Sequence, residues 1–378
     1  MAREAQYTAQ DYPETLLVGV HAPYNKTKNI DSYFEEFLNL VKTNGVRNYQ
    51  TVYIKLRDID SSYFLTKGKL AEIKEAVEKH SIKQVIFSDQ LTAQQERNLH
   101  DYFDCNVFDR TQLILEIFEK AAHSAEGKIQ VSIAMLQFKK TRLAGKGMHL
   151  SQQSGVRGFR TGYGETQKEK DRRVIEGLVT KFRRQLEQIQ KTRDTQRKRR
   201  LESHVPQICI IGYTNAGKST ILNALTKSAV LAEDKLFATL DTTTRELYLD
   251  NKKVGVITDT VGFIQELPTQ LIEAFKSTLS ELQYADLLIH VIDISDPNWE
   301  SHIAVVHDIL ENLNVQKDML YVFNKVDKVP EIETMMHTIE RYEPHVLVSS
   351  LSKKTMQPLT NALIEWSKKH PMPTVPTE

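Results

Sequence analysis

Long hydrophobic stretches are absent from this sequence of 378 residues. No run reaches the roughly 18 apolar residues of a membrane-spanning helix, and the polar first ten residues lack the apolar core of a secretory signal. Cysteine is scarce: two residues, far apart, do not suggest a disulfide framework or a zinc site. These absences predict a cytoplasmic protein without membrane insertion, and we expect it to be a monomer when free.

Charge is nearly balanced overall but unevenly distributed. Residues 139–200 contain 19 Lys and Arg against 6 Asp and Glu, a surplus of +13, so the rest of the chain carries −12. One basic segment in an otherwise acidic chain predicts a polyanionic partner such as RNA for that segment.

The first 110 residues alternate between strand-like and helix-like patterns. Apolar runs at 16–20 and 85–87 and the alternation at 52–56 indicate strands, and apolar residues at helical spacing occur between them. This order predicts a small α/β domain at 1–110 with a mostly parallel sheet.

Residues 111–203 favour a long helical hairpin. Helical spacing from Thr111 to Lys140 precedes a glycine-rich loop at 141–164, and a second helical pattern then follows a stripe of Ile175, Leu178, Phe182, Leu186 and Ile189. The loop contains no acid and four basic residues: Arg142, Lys146, Arg157 and Arg160. This composition suits phosphate binding. The alternative is a flexible surface loop with incidental charge. The basic run at 193–200 fits a solvated helix end or linker as well as an RNA contact.

Residues 204–378 begin with a buried-strand pattern that leads into a phosphate-binding loop. The GxxxxGK[ST] motif comprises Gly212, Tyr213, Thr214, Asn215, Ala216, Gly217, Lys218 and Ser219. Its backbone N–H groups and the following helix N-terminus would hold phosphates. Lys218 is the candidate to bridge the β- and γ-phosphates, and the Ser219 hydroxyl is a candidate Mg²⁺ ligand.

Two further segments match the switch regions of a GTPase. The first, 20 residues after Ser219, comprises Phe237, Ala238, Thr239, Leu240 and Asp241. The Thr239 hydroxyl is the candidate second Mg²⁺ ligand and a catalytic candidate, with the threonines at 242–244 as competitors. The second follows a predicted strand at 254–258 and comprises Asp259, Thr260, Val261 and Gly262. Asp259 would hold Mg²⁺ through water, and the Gly262 N–H would sense the γ-phosphate.

Guanine selectivity is predicted from the element that follows an apolar strand at 320–323: Asn324, Lys325, Val326 and Asp327. The Asp327 carboxylate can accept hydrogen bonds from guanine N1–H and the 2-amino group together, and adenine offers neither donor. A second base-contacting loop is expected at Ser349, Ser350 and Leu351. These motifs indicate a Ras-like domain that binds GTP and GDP, and they argue against a metabolic P-loop kinase.

Catalysis is expected to be slow, since Phe263 occupies the position where Ras-like switches place a water-orienting Gln. Another group or a partner would have to position the water. Asn215 adds a hypothesis about ions, because several GTPases without that Gln use an Asn here to hold K⁺ near the phosphates.

Taken together, these motifs resemble the HflX family of GTPases. GYTNAGKST, FATLD, DTVGF and NKVD match the family's GTPase domain, and VIFSDQLTAQQERNL, VFDRTQLILEIF and GETQKEKDRR match its N-terminal half. The resemblance implies a GTPase that binds the large (50S) ribosomal subunit and its rRNA, and splits or rescues stalled ribosomes. An rRNA-binding assembly factor for the large subunit is the alternative.

Overall fold

The computed structural model describes residues 14–25, 29–143, 167–202, 204–226, 236–237, 240, 242–266, 268, 271, 275, 279 and 281–372. These divide into two compact units, one within 1–120 and 131–182 and the other within 121–130 and 183–378. Among the described residues, no helix is both long enough and apolar enough to cross a membrane.

The first unit contains a four-stranded parallel sheet in the order β2-β1-β3-β4. Its strands are β1 Thr15–His21, β2 Tyr49–Lys55, β3 Gln84–Phe87 and β4 Asn106–Phe108. The connecting helices are α1 Ile30–Asn44, α2 Lys67–Lys79 and α3 Ala93–Phe103. The alternating strand and helix order predicted for this region is confirmed.

Local signals in the sequence set the ends of these helices. The Asn29 side chain accepts hydrogen bonds from the N–H groups of Asp31 and Ser32 at the start of α1, and Gly45 ends that helix with a φ of 95°. Thr92 and Gln95 form a capping box at the start of α3. Strand β1 is buried along almost its whole length, which explains its continuous apolar run.

The predicted first helix of the hairpin is two helices, α4 Arg110–Ala121 and α5 Ala125–Leu143. Ser124 starts the second, because its hydroxyl accepts a hydrogen bond from the Gly127 N–H at 2.9 Å. Helix α5 continues through Leu143, so the loop does not begin at 141 as the sequence suggested. The rest of the predicted glycine-rich loop, with Lys146, Arg157 and Arg160, lies outside the described residues.

The basic residue Arg142 has a different role from the one its position in the sequence suggested. Its guanidinium pairs with Asp109 at 2.6 Å and Glu96 at 2.8 Å, donates to the Leu91 carbonyl at 2.7 Å, and lies over the Phe138 ring. Two carboxylates of the same unit therefore hold this side chain, and the prediction that Arg142 serves phosphates is wrong.

Helix α6 runs from Gln167 to Glu202 and includes the basic run at 193–200. Its apolar stripe differs by one residue from the predicted one, since Val179 is buried whereas Leu178 is 38% exposed. Near its start, Glu176 pairs with Lys140 of α5 at 2.8 Å.

The described residues of the second unit form a six-stranded sheet in the order β10-β9-β8-β5-β7-β6, and among these strands only the β6–β7 pair is antiparallel. The strands are β5 Gln207–Gly212, β6 Thr243–Leu249, β7 Lys252–Asp259, β8 Leu287–Asp293, β9 Met319–Asn324 and β10 His345–Leu347. The described helices are α7 Lys218–Thr226, α8 Glu281–Tyr284, α9 Trp299–Asn312, α10 Met336–Ile339 and α11 Gln357–Lys369. Short 3₁₀ turns occur at Val326–Lys328 and Ile332–Met335.

Both faces of this sheet are covered, as the predicted P-loop fold requires. One face packs a core that includes Ile221 and Leu222 of α7 and Leu359 and Leu363 of α11. On the other face, Val306 and Leu310 of α9 belong to a second core cluster. Because β5, β7, β8 and β9 are parallel, their carboxyl ends share one edge, where ligands of open α/β sheets bind.

Candidate nucleotide-binding site

The loop after β5 has the two glycines where its backbone needs them. Gly212 has a φ of 144°, and a Cβ there would lie 2.2 Å from the Val291 carbonyl oxygen. Gly217 has a φ of 96°, and a Cβ there would lie 2.3 Å from the Asn324 side-chain nitrogen. Both positions exclude any larger residue, and the N-terminus of α7 follows directly, as an anion site requires.

Lys218 is buried within this loop. Its Nζ donates a hydrogen bond to the Tyr213 carbonyl oxygen at 2.7 Å. Burial lowers the pKa of Lys218 to about 8, while the nearby Asp259 carboxylate acts in the opposite direction. The amine is thus held at the loop, and the charge of a bound phosphate would favour its protonated form.

The predicted Mg²⁺ ligands include one pair that the structure brings together. The Ser219 hydroxyl donates to Asp259 Oδ2 at 2.6 Å, and Asp259 is fully buried at the end of β7. Two adjacent oxygen donors suit a hard cation. In the described part of the chain, His, Cys, Asp and Glu form no cluster able to hold a metal alone. The donor set therefore fits an Mg²⁺ ion that takes its remaining ligands from phosphates and water.

The first switch segment is only partly visible. Ala238, Thr239 and Asp241 lie outside the described residues, whereas Phe237 and Leu240 are buried. Two of the competing threonines, Thr243 and Thr244, are the first residues of β6. The Thr244 hydroxyl forms a hydrogen bond with the Thr258 hydroxyl at 2.9 Å, so the sheet already engages it.

The second switch segment lies directly against the phosphate loop. A Cβ on Gly262 would be 2.8 Å from Thr214 Cγ2 and 2.9 Å from Lys218 Nζ, so only glycine fits. The preceding Thr260 hydroxyl donates to the Ile210 carbonyl at 2.7 Å and anchors the segment to β5. The Gly262 backbone therefore lies beside the lysine expected to hold the γ-phosphate.

The Phe263 side chain points into the core rather than toward the phosphates. It is 1% exposed and belongs to a cluster with Cys209, Ile211, Leu282 and Leu288. The sequence showed only that Phe cannot orient water; the structure adds that this position holds the segment to the sheet.

The end of the site that the sequence predicts to bind guanine is a hydrogen-bond network around Asn324 and Lys325. The Asn324 amide donates to the Ala216 carbonyl at 2.9 Å and accepts from the Ser350 N–H at 3.1 Å. Lys325 Nζ donates to the Asn215 carbonyl at 2.8 Å. These contacts tie the NKVD element to the phosphate loop and to the loop after β10.

Asp293 at the end of β8 is a residue that sequence reasoning missed. It pairs with Lys325 Nζ at 2.6 Å and fixes the lysine beside the loop. The only signal was an acid at the end of an apolar strand. Farther out, Asp327 is exposed in its 3₁₀ turn, Ser349 is buried, and Leu351 is 79% exposed.

Three protein-family models match the chain. They describe a GTP-binding GTPase N-terminal region at residues 31–119, a GTP-binding GTPase middle region at 121–200, and a 50S ribosome-binding GTPase at 207–325.

Curated relatives named GTPase HflX match most of the chain. The protein of Caldanaerobacter subterraneus is 42% identical over 84% of this chain and 74% of its own length. The Escherichia coli protein is 39% identical over 92% of this chain and 81% of its own length.

Solved structures give more distant matches. A GTP-binding protein from Sulfolobus solfataricus in complex with GDP is 24% identical, with a TM-score of 0.47 over 94% of this chain and 99% of that one. Era from Aquifex aeolicus bound to GDP.AlF4⁻ has a TM-score of 0.36 at 22% identity, over 45% of this chain and 57% of that one. On the sequence identity to the curated relatives, the chain belongs to the HflX family of GTPases and is a GTP-hydrolysing enzyme.

Proposed function

We propose that this GTPase binds the large ribosomal subunit through rRNA and couples its GTP cycle to the splitting of ribosomes or the rescue of stalled ones. The observation that carries the proposal is the exposed basic surface of α6. Among the side chains of this helix that the structure describes, seven basic ones are exposed: Lys170, Arg172, Arg173, Lys181, Arg183, Arg184 and Lys191. A polyanion such as rRNA releases counterions on binding such a surface.

The family supports the same partner. The model matched at 207–325 describes a 50S ribosome-binding GTPase. In this proposal the protein acts in the cytoplasm and is a monomer when free.

The GTP state would set the strength of the interaction. The γ-phosphate would engage the Gly262 N–H and Lys218, and Mg²⁺ would bind Ser219 and Thr239 and, through water, Asp259. Such contacts order the switch segments, and hydrolysis releases them. Phe263 supplies no polar group, so we expect ribosomal particles to accelerate hydrolysis.

We further propose that Asn215 helps to hold a second ion, K⁺, beside the phosphates. Its backbone has a φ of 59°, and its carbonyl is held by Lys325 at 2.8 Å, so the loop position is fixed. Potassium should raise the rate of GTP hydrolysis over sodium in the wild-type chain and not in Asn215→Ala. Equal rates in both salts would remove K⁺ from the proposal.

Sedimentation with purified 50S subunits tests the main proposal. We expect more protein to pellet with a non-hydrolysable GTP analogue than with GDP. Arg183→Glu with Arg184→Glu should weaken the binding and reduce its salt dependence. Lys368→Glu with Lys369→Glu at the exposed end of α11 makes the same charge change elsewhere and is the matched control. Equal binding in both nucleotide states, or equal losses in both variants, would refute the proposal.

A ribosome-splitting assay distinguishes the proposed function from a role in assembly of the large subunit. Intact 70S ribosomes incubated with the protein and the GTP analogue should separate into subunits on a gradient. Binding to 50S without any splitting would favour an assembly factor that binds rRNA.

A further inference from the structure

Tyr213, the second residue of the phosphate loop, contacts three different parts of the second unit. Its carbonyl oxygen accepts the Lys218 hydrogen bond, its hydroxyl accepts the Gln265 N–H at 2.8 Å, and its ring stacks on His302. The phosphate-loop motif leaves this position open to any residue, because phosphates bind there through backbone. The aromatic side chain therefore serves something other than phosphate binding.

The hydroxyl extends a connection between the phosphate loop and the second switch segment. Two backbone hydrogen bonds already join them: Phe263 N–H to the Gly212 carbonyl at 3.2 Å, and Thr214 N–H to the Phe263 carbonyl at 2.8 Å. Those two hydrogen bonds join backbone atoms, so they do not depend on the side chain at position 213. The third, from the Gln265 N–H, needs a hydroxyl at the end of a long rigid side chain, and it is buried.

His302 fixes the direction of that side chain. The two ring centroids are 3.8 Å apart, and the planes differ by 8°. His302 belongs to α9 and is 8% exposed, and its Nδ1 lies 4.0 Å from Asp296 Oδ2 in the turn before that helix. A buried, flat stack leaves the Tyr213 ring little freedom to turn away from Gln265.

We propose that Tyr213 and His302 are positioning residues for GTP hydrolysis. His302 holds the Tyr213 ring, the Tyr213 hydroxyl holds the Gln265 N–H, and Gly262 through Gln265 thereby stay against the phosphate loop. The Phe263 side chain already holds this segment to the core, and the Tyr213 hydroxyl adds a second attachment two residues later, at Gln265. The inference concerns the GTPase reaction itself and does not depend on the ribosomal partner.

Basal GTP turnover of the full chain tests this proposal. Tyr213→Phe removes only the hydroxyl and should lower kcat about tenfold, since small misplacements at a reacting centre have effects of that order or larger. The KM for GTP and the Kd for a fluorescent GDP should change less than about twofold, because the phosphate contacts are backbone. His302→Ala should reproduce the loss, and His302→Phe, which keeps a flat ring, should restore most of kcat.

His307→Ala is the matched control on the same helix. This residue is exposed and forms a hydrogen bond with the Tyr321 hydroxyl at 3.1 Å, away from Tyr213, so its loss should leave kcat unchanged.

Hydrogen exchange gives an independent measurement. In Tyr213→Phe with GDP bound, exchange should rise in the peptide containing Gln265 and stay constant in β5.

Wild-type kcat in Tyr213→Phe would overturn the proposal. So would equal kcat in His302→Ala and His302→Phe, or a fall in GDP affinity that matches the fall in kcat. The histidine pair decides the question even where Tyr213→Phe folds poorly.

Discussion

Lys218 should take up a proton when the protein binds nucleotide at mildly alkaline pH. In the nucleotide-free protein, burial lowers the pKa of this amine from 10.5 to about 8. Phosphate oxygens placed beside the amine favour its charged form and raise the pKa again. Below pH 8 the amine is already charged before binding. Above pH 8 binding must add the proton, and affinity should fall by up to about tenfold per pH unit.

The size of the uptake follows from the pKa. With a free-state pKa of about 8, roughly three quarters of the protein has a neutral Lys218 at pH 8.5, and about one tenth at pH 7. Titration calorimetry of GDP binding in two buffers of different ionisation enthalpy measures the protons directly. We expect about 0.7 proton taken up at pH 8.5 and about 0.1 from Lys218 at pH 7. The terminal phosphate, with a pKa of about 6, would release protons instead and cannot imitate the signal.

Heats that do not depend on the buffer at pH 8.5 would refute this reasoning, because Lys218 would then be charged before binding.

The same depressed pKa of Lys218 affects the stability of the fold. The unfolded chain holds this proton up to about pH 10.5, whereas the folded one releases it near pH 8. Between those values the unfolded state binds more protons, so Lys218 alone should make the nucleotide-free fold more stable as pH rises.

Three substitutions, two of them with a control variant, test other parts of the structure. Asp327→Asn should shift nucleotide preference from GTP toward xanthosine triphosphate in competition binding, and unchanged selectivity would remove Asp327 from the base site. Gly217→Ala should abolish nucleotide binding, because its φ of 96° is strained for Ala and the Cβ would meet a side-chain amide at 2.3 Å. Gly177→Ala in the exposed part of α6 is its control, because the added Cβ meets nothing within 4 Å. This variant should stabilise the protein by about 0.5–1 kcal/mol and should bind nucleotide normally, so a loss of nucleotide binding in it would count against the steric argument. Arg110→Met should destabilise the first unit by about 3–5 kcal/mol in urea unfolding, because it removes one partner of the buried ion pair between Arg110 and Glu36, and Arg110→Met with Glu36→Leu should recover most of that loss.

Much of the fold could be predicted because its signals are local. Strand β1 is a continuous apolar run because both of its faces are buried. Thr92 and Gln95 mark the start of α3 within four residues of sequence. The phosphate loop is similar, since the requirement for glycine at 212 and 217 arises within one turn of chain. Patterns of this kind need no knowledge of what packs against them.

The sequence predictions were wrong where contacts with residues far away in the sequence determine the environment of a side chain. Leu178 and Val179 are adjacent on one helix, and only the position of the neighbouring surface makes the second buried and the first exposed. Arg142 has the charge expected for a phosphate contact, but the partners that hold it, Asp109 and Glu96, come from other segments. The stack of Tyr213 on His302 joins the phosphate loop to a helix far along the chain, and no spacing rule could show it.

Phe263 illustrates how a catalytic position can be tied to the core. Because its side chain packs with Cys209, Ile211 and Leu282, Phe263→Gln should not create a Ras-like catalyst. The amide would have to enter an apolar cluster or leave a cavity behind, and either outcome should cost about 3 kcal/mol or more. We expect lower stability in urea unfolding and no gain in kcat, whereas Phe263→Leu, which keeps the cluster apolar, should lose less. A faster Phe263→Gln enzyme of unchanged stability would mean that this side chain can turn toward the phosphates, and that the core does not fix the second switch segment.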